Sequence, residues 1–319
     1  QRRRLGNAAL RARPALARPA QRGRPKAQVE RAKAGEPAAS PGPPLPSRLP
    51  RNTDEPPSDA SKQRTPEKRS SKKQTCESSE PMTDTQKFAL VTGGTRGIGA
   101  GAALALAEAG YRVLATGLTD EEVAATPAHA AIRHARLDVT SDDQVAAIVA
   151  GCERIDALVN CAGMIQRGGK EFEIEAFRLT VEVNLTGTMR MSVAAREKLA
   201  AAKGAIVNTA SMLTFHGSPF APGYAASKGG VGQLTKSLAA AWATDGIRVN
   251  AVAPGWIATE LTRPLVEDAA RSAPILARTP MNRWGEPSDV GGAIVFLLSD
   301  AARFVTGTVL PVDGGYLAV

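Results

Sequence analysis

Residues 82–319 are predicted to form one doubly wound α/β domain, a seven-stranded parallel sheet with helices on both faces. Three observations carry the prediction. Short β-branched runs alternate with Ala-rich stretches, the runs are apolar throughout, and a glycine-rich turn follows the first of them. A strand that is apolar on both faces is buried on both faces, as in a parallel sheet covered by helices through right-handed crossovers.

The elements follow in order. FALV (88–91) reads as the first strand, TGGTRGIG (92–99) as the turn, and AGAALALAEAG (100–110) as an amphipathic helix ended by Gly110. RVLAT (112–116) is the second strand, and the third falls near His134. DALVN (156–160), AIVNTA (205–210), IRVNAVA (247–253) and TVLPVD (308–313) supply the rest. No second break in composition divides this region.

In the turn, Gly93, Gly97 and Gly99 let the chain bend sharply and bring backbone amides toward a phosphate at the positive end of the helix. The spacing G-x-x-x-G-x-G differs from the commonest dinucleotide fingerprint. Its weight comes from context, strand then turn then helix at the start of the domain. Further on, GYAASKGG (223–230) sets Tyr224 and Lys228 one helical turn apart. That pair is ordinary helix surface unless something recruits it. The alternative is a phenol whose acidity is set by the nearby ammonium, which favours the phenolate. Ser211, thirteen residues earlier, ends the strand AIVNTA at the carboxyl edge where such sheets place ligands.

Charge is unevenly spread. Residues 1–81 hold 19 Lys and Arg against 8 Asp and Glu, an excess of +11, while residues 82–319 carry −2. The first segment also holds 13 of the 22 prolines and shows no apolar period, so it is expected to be disordered. A basic arm invites nucleic-acid contact, an anionic membrane or a mitochondrial transit peptide. Against these stand the mildly acidic domain that follows, the interruptions at Pro14 and Pro19, and the lack of any Ser before Ser40. The favoured reading is a leader or extension outside the functional protein, with Met82 as a natural start. Nucleic acid is not an expected partner. Cys76, Cys152 and Cys161 suit neither a disulfide framework nor a zinc site, and no apolar run is long enough to span a bilayer. No metal is expected, and the expected setting is the cytoplasm.

TGGTRGIG, followed by LDVT (137–140), NCAG (160–163), VNLTG (183–187), Ser211, YAASK (224–228) and APGWIATEL (253–261), resembles the short-chain dehydrogenase/reductase family. The resemblance covers essentially all of residues 82–319. It departs at Cys161, where the family more often has Asn; Cys161 is read as a packing substitution. A Rossmann-type fold binding NAD(P) is implied. Gly93, Thr95, Arg96, Gly97, Ile98 and Gly99 would form the phosphate turn, and Asp138 and Val139 would flank the adenine. Asn160, Ala162 and Gly163 would line the ribose and nicotinamide. Pro254, Gly255 and Ile257 would lead to Thr259, which would hold the carboxamide. Catalysis would rest on Asn184, Ser211, Tyr224 and Lys228. Tyr224 would be the general acid/base, Lys228 would tune it and reach the ribose, Ser211 would fix the substrate oxygen, and Asn184 would hold a water leading to Lys228.

The end of the second strand offers Gly117 and Leu118 where a carboxylate would repel a 2′-phosphate, and Arg96 lies in the turn, so NADP(H) is expected over NAD(H). A softer similarity, through Arg167, SMLTF and PGYAASKGG, points to sugar acids or polyols, with 3-ketoacyl thioesters as the competing class. Arg167 and His216 are the candidate substrate contacts. Residues 263–283 lack a buried pattern and are expected to form a mobile flap. Relatives pair the last strand, and pack the helix carrying Gly229 and Gly230, against another subunit, which implies a homotetramer. The competing function is a catalytically silent NAD(P) sensor; such a protein would be expected to have lost part of the Asn-Ser-Tyr-Lys set.

Overall fold

The computed structural model describes residues 86–319. The expected disordered extension, residues 1–81, lies outside the described residues. The chain runs β1 (Phe88–Thr92), α1 (Gly97–Glu108), β2 (Arg112–Gly117), α2 (Asp120–Ala124), β3 (Ile132–Arg136), α3 (Asp142–Ala150), β4 (Ala157–Asn160), α4 (Ile174–Val181), α5 (Gly187–Ala202), β5 (Ala205–Thr209), α6 (Pro222–Trp242), β6 (Arg248–Pro254), α7 (Arg263–Val266), α8 (Ala269–Arg278), α9 (Pro287–Leu298) and β7 (Val309–Val312).

The strands form one parallel seven-stranded sheet in the order β3-β2-β1-β4-β5-β6-β7. Strand order reverses between β1 and β4, which opens a crevice beyond their carboxyl ends. Register pairs Thr92 with Asn160, so both strands stop level at the crevice floor.

Alternation along single strands explains the unbroken apolar runs. Ala89 and Val91 pack with Ala102 and Leu106 of α1 and with Val290 and Ile294 of α9. Leu90, between them, faces the other side, with Val145 of α3, Met191 and Leu199 of α5 and Trp242 of α6. Each large aliphatic chain so buried contributes about 1.5–3 kcal/mol. β3 is the exception. It is an edge strand reading IRHAR with two exposed arginines, so it leaves no apolar run to detect.

Two further features matter for the site. α4 and α5 are joined by a turn of π-helix at residues 182–186, and Asn184 within it is fully buried. The 263–283 segment is not featureless: it holds α7 and α8 and is tied down in two places. Trp284 Nε1 donates to the buried Ser272 Oγ at 2.8 Å, and the Arg278 guanidinium lies 4.2 Å from the centroid of the Tyr316 ring. Gly230 of α6 packs on Leu185 of its own chain, while Gly229 faces open space. Among the described residues no helix is long and apolar enough to cross a membrane.

Candidate active site

The glycine turn after β1 is built by contacts that leave no room for a side chain. Gly93 adopts φ +61°, and a Cβ there would stand 2.9 Å from the Ala162 backbone; one on Gly99 would stand 2.0 Å from the Gly93 carbonyl oxygen. The loops after β1 and β4 therefore touch, and Thr92 Oγ1 links them by accepting from the amides of Cys161 (3.2 Å) and Ala162 (3.1 Å). Gly97, at φ +55°, faces Thr259, whose methyl would lie 3.5 Å from a Cβ placed on it. The turn and the segment after β6 thus oppose each other across the crevice. Ile98 packs into the core beneath, and Thr95 Oγ1 is buried with no protein partner. A close-approach backbone, an unanswered hydroxyl and the positive end of a twelve-residue helix fit a dinucleotide phosphate.

Other expected cofactor residues divide into those that border the crevice and those committed to the protein. Val139 is buried against Gly187. Asp138 Oδ1 accepts from both the amide and the hydroxyl of Thr140, at 2.9 and 2.8 Å. Asn160 gives its amide hydrogens to Asn208 (2.9 Å) and Ser192 (3.2 Å), tying β4 to β5 and α5. Pro254 ends β6, the Gly255 amide donates to Val312 at 3.0 Å, and Ile257 is buried beside Gly285.

At the carboxyl edge of β5, Ser211 opens a short 3-10 turn, and Thr214 of that turn donates to the Lys228 carbonyl at 2.9 Å. This holds α6 against the strand end. Ser211, Tyr224 and Lys228 come together here. Ser211 lies beside the Tyr224 phenol, and Lys228 Nζ lies 5.6 Å from the centroid of its ring. Lys228 is buried and donates to the Thr209 carbonyl at 2.6 Å. Gly163 is wedged beside Lys228 Nζ and Asn184 Oδ1. Asn184 itself grips Met164 both ways, accepting from its amide at 2.8 Å and donating to its carbonyl at 2.9 Å, and also donates to Ser227 at 3.0 Å. A buried Asn in a helix needs such partners.

The expectation that Lys228 pulls the Tyr224 phenol downward is not met. Burial pushes the phenol up to about 12, opposed by the Ser211 hydroxyl and reinforced by the Glu171 carboxylate. Burial likewise pushes the Lys228 ammonium down to about 8, with Cys161 pulling weakly the other way. Desolvation works against both charged forms at once, so proximity alone does not produce a phenolate.

The substrate candidates lie on the loops after β4 and β5. Arg167 is exposed and donates to the Leu261 carbonyl at 2.5 Å, bridging the loop after β4 to the segment before α7. His216 sits 6.4 Å from the Tyr316 ring and its Nε2 is buried without a partner. Two acids escaped the sequence reading. Glu122, one turn into α2, accepts from the Leu118 amide at 2.9 Å and pairs with Arg96 at 3.0 Å, so a carboxylate does stand at the end of β2. Glu171 is buried behind Tyr224, and nothing in KEFEIE marks it. Among the described residues no three His, Cys, Asp or Glu cluster as metal ligands.

The family profile described as enoyl-(acyl carrier protein) reductase matches residues 93–317. The chain is 42% identical over 245 residues to 2-dehydro-3-deoxy-D-gluconate 5-dehydrogenase of Pseudoalteromonas atlantica, covering 72% of this chain and 96% of the relative. It is 42% identical over 241 residues to galactitol 2-dehydrogenase (L-tagatose-forming) of Cereibacter sphaeroides, covering 72% and 94%. Among solved structures, a gluconate 5-dehydrogenase from Burkholderia cenocepacia in complex with NADP and tartrate superposes with a TM-score of 0.69 at 40% identity, covering 73% of this chain and 96% of that one. A silent sensor finds no support among these dehydrogenases. The chain belongs to the short-chain dehydrogenase/reductase family and is an NAD(P)-dependent oxidoreductase of secondary alcohols and ketones.

Proposed function

We propose that the protein interconverts a secondary alcohol and a ketone on a sugar acid, with NADP(H) preferred over NAD(H) and Tyr224 as general acid/base. The observation that carries this reading is the convergence of Ser211, Tyr224 and Lys228 at one strand edge beside the glycine turn. A nicotinamide bound in the crevice supplies or accepts the hydride. Tyr224 gives its proton to the ketone oxygen in reduction and, as phenolate, takes the hydroxyl proton in oxidation. The Ser211 hydroxyl donates to the same substrate oxygen. Lys228 reaches the ribose side, and Asn184 holds the Met164 loop that backs it.

Arg167 supports the sugar-acid reading, since its guanidinium at the entrance suits a carboxylate. Two of the relatives described above act on sugar acids by name, and the third on a polyol. A panel of sugar acids, polyols and 3-ketoacyl thioesters, each followed by nicotinamide absorbance, tests the choice. A sugar acid is expected to give the highest kcat/KM, and Arg167→Ala to raise its KM about tenfold or more while leaving a polyol's within about twofold. Equal losses on both substrates would remove Arg167 from carboxylate recognition.

NADP(H) preference rests on Arg96, and the Burkholderia cenocepacia relative holds NADP. Glu122 works against it, because the carboxylate paired with Arg96 competes with a 2′-phosphate for the same guanidinium. Arg96→Ala is expected to lower the NADP-to-NAD ratio of kcat/KM by about tenfold and Glu122→Gln to raise it severalfold. If neither variant moves the ratio, cofactor choice does not reside in this pair.

We also place the protein in the cytoplasm as a homotetramer. Exposed Phe172, Ile174, Leu179, Met189 and Val193, along α4, α5 and the turn before them, support contact with a second copy, and sedimentation of the full chain reads its size.

A further inference from the structure

Glu171 lies in the 3-10 turn Lys170–Phe172 between β4 and α4, and it is 2% exposed. A carboxylate is seldom buried so fully without a partner. Among the described residues no cation pairs with it. Two backbone amides answer it instead: Gln166 donates to Oε1 at 3.0 Å and Tyr224 donates to Oε2 at 3.1 Å. The first amide belongs to the loop that carries Arg167. The second is the third residue of α6, a helix of 21 residues whose own capping position, Ala221, offers no side-chain acceptor.

We propose that Glu171 is a positioning residue, an N-cap supplied from outside α6 that fixes Tyr224 and the Arg167 loop to one buried charge. The proposal rests on the reading of Tyr224 as general acid/base. A carboxylate at the positive end of a long helix is favourable, and each charge-assisted bond to an amide is stronger than a neutral one. The capping bond is made to the amide of the reacting residue itself, so the helix start cannot drift without moving the phenol. The groups that face Tyr224 are Ser211 from the end of β5, Lys228 one turn on, Glu171 behind, and Cys161 beside Lys228. Glu171 is an acidic side chain in that set, and its charge adds to burial, the larger effect, in keeping the phenol protonated. Reduction, which needs the acid, is favoured by this arrangement; oxidation, which needs the base, is shifted to higher pH.

Glu171→Gln and Glu171→Ala in the full chain test this. Glu171→Gln keeps one acceptor and removes the charge. The pH profile of kcat for alcohol oxidation is expected to move toward lower pH by roughly half a unit, with KM raised severalfold. Glu171→Ala frees both amides and is expected to raise KM about tenfold or more. NADPH binding, followed by its fluorescence, should stay within about twofold in both. A pH profile and a KM in Glu171→Gln that both match the parent overturn the proposal, even if the variant melts earlier, because a purely structural cap would alter stability alone. Should Glu171→Ala fail to fold, Glu171→Gln still decides. Full activity in Tyr224→Phe would instead remove the acid/base reading beneath it, so the two failures are told apart.

Discussion

Tyr224→Phe is expected to lose at least ~1,000-fold in kcat, about 4 kcal/mol of transition-state stabilisation, while binding NADPH within about twofold of the parent. The ring stays, so packing against α6 and its neighbours is preserved; only the proton is removed from the edge where Ser211 meets it. The pH dependence of the parent follows from the phenol being pushed up to about 12 by burial, which leaves it protonated at neutral pH. Reduction then has its acid throughout the neutral range and its rate should be flat there. Oxidation needs the phenolate, present as a small fraction, and its rate should climb with pH across the alkaline range. Initial rates in both directions over a buffer series check this. A Phe variant within tenfold of the parent, or an oxidation rate that falls as pH rises from neutral, would defeat the assignment.

Lys228→Met is expected to part activity from stability. Lys228 is buried, and its ammonium, pushed down to about 8, is held at a cost below that pH. In the unfolded chain the same group titrates at its ordinary value near 10.5. Between those two values the unfolded chain binds more protons than the folded one, so this residue's contribution to stability rises with pH across that window and is least favourable below it. Replacing it by an apolar chain of similar length relieves roughly 3 kcal/mol at neutral pH. Against that stands the lost bond to the Thr209 carbonyl, about 1–2 kcal/mol. The net expectation is a fold about 1–2 kcal/mol more stable near pH 7, a gain that vanishes or reverses near pH 10, with turnover down about a hundredfold or more. Denaturant melts of parent and variant at the two pH values read the sign directly. Destabilisation near neutral pH would mean that the buried ammonium stabilises the fold.

Much of this architecture was legible because the sheet is covered on both faces. β1, β4, β5 and β6 bury successive side chains to opposite sides, so their sequences read as apolar runs, and the glycine turn sits where a strand gives way to a helix. β3 was only loosely placed because an edge strand with outward arginines carries no such run. Ser211, Tyr224 and Lys228 were legible as a set, since strand end and helical spacing bring them to one place. Their electrostatics were not, because spacing reports proximity and burial decides protonation. Glu122 and Glu171 were missed for a related reason. Each acts through backbone amides distant in sequence from it or turned back by a helix start, and an acid in a run of acids has no signature of that use.

The π turn at residues 182–186 bears on which changes of length the chain can tolerate. A π turn holds one residue more than the α-helix around it, and each residue advances an α-helix by about 100°. Deleting one residue between α4 and α5, even from their exposed faces, would restore a regular helix and rotate Asn184 out of the interior. The Met164 loop would then lose both of its bonds to that amide. Insertions and deletions, which surface helices ordinarily absorb at their ends, are therefore coupled here to the active site. Natural variation in this protein's length should accumulate elsewhere, in the connections on the far edge of the sheet from the crevice.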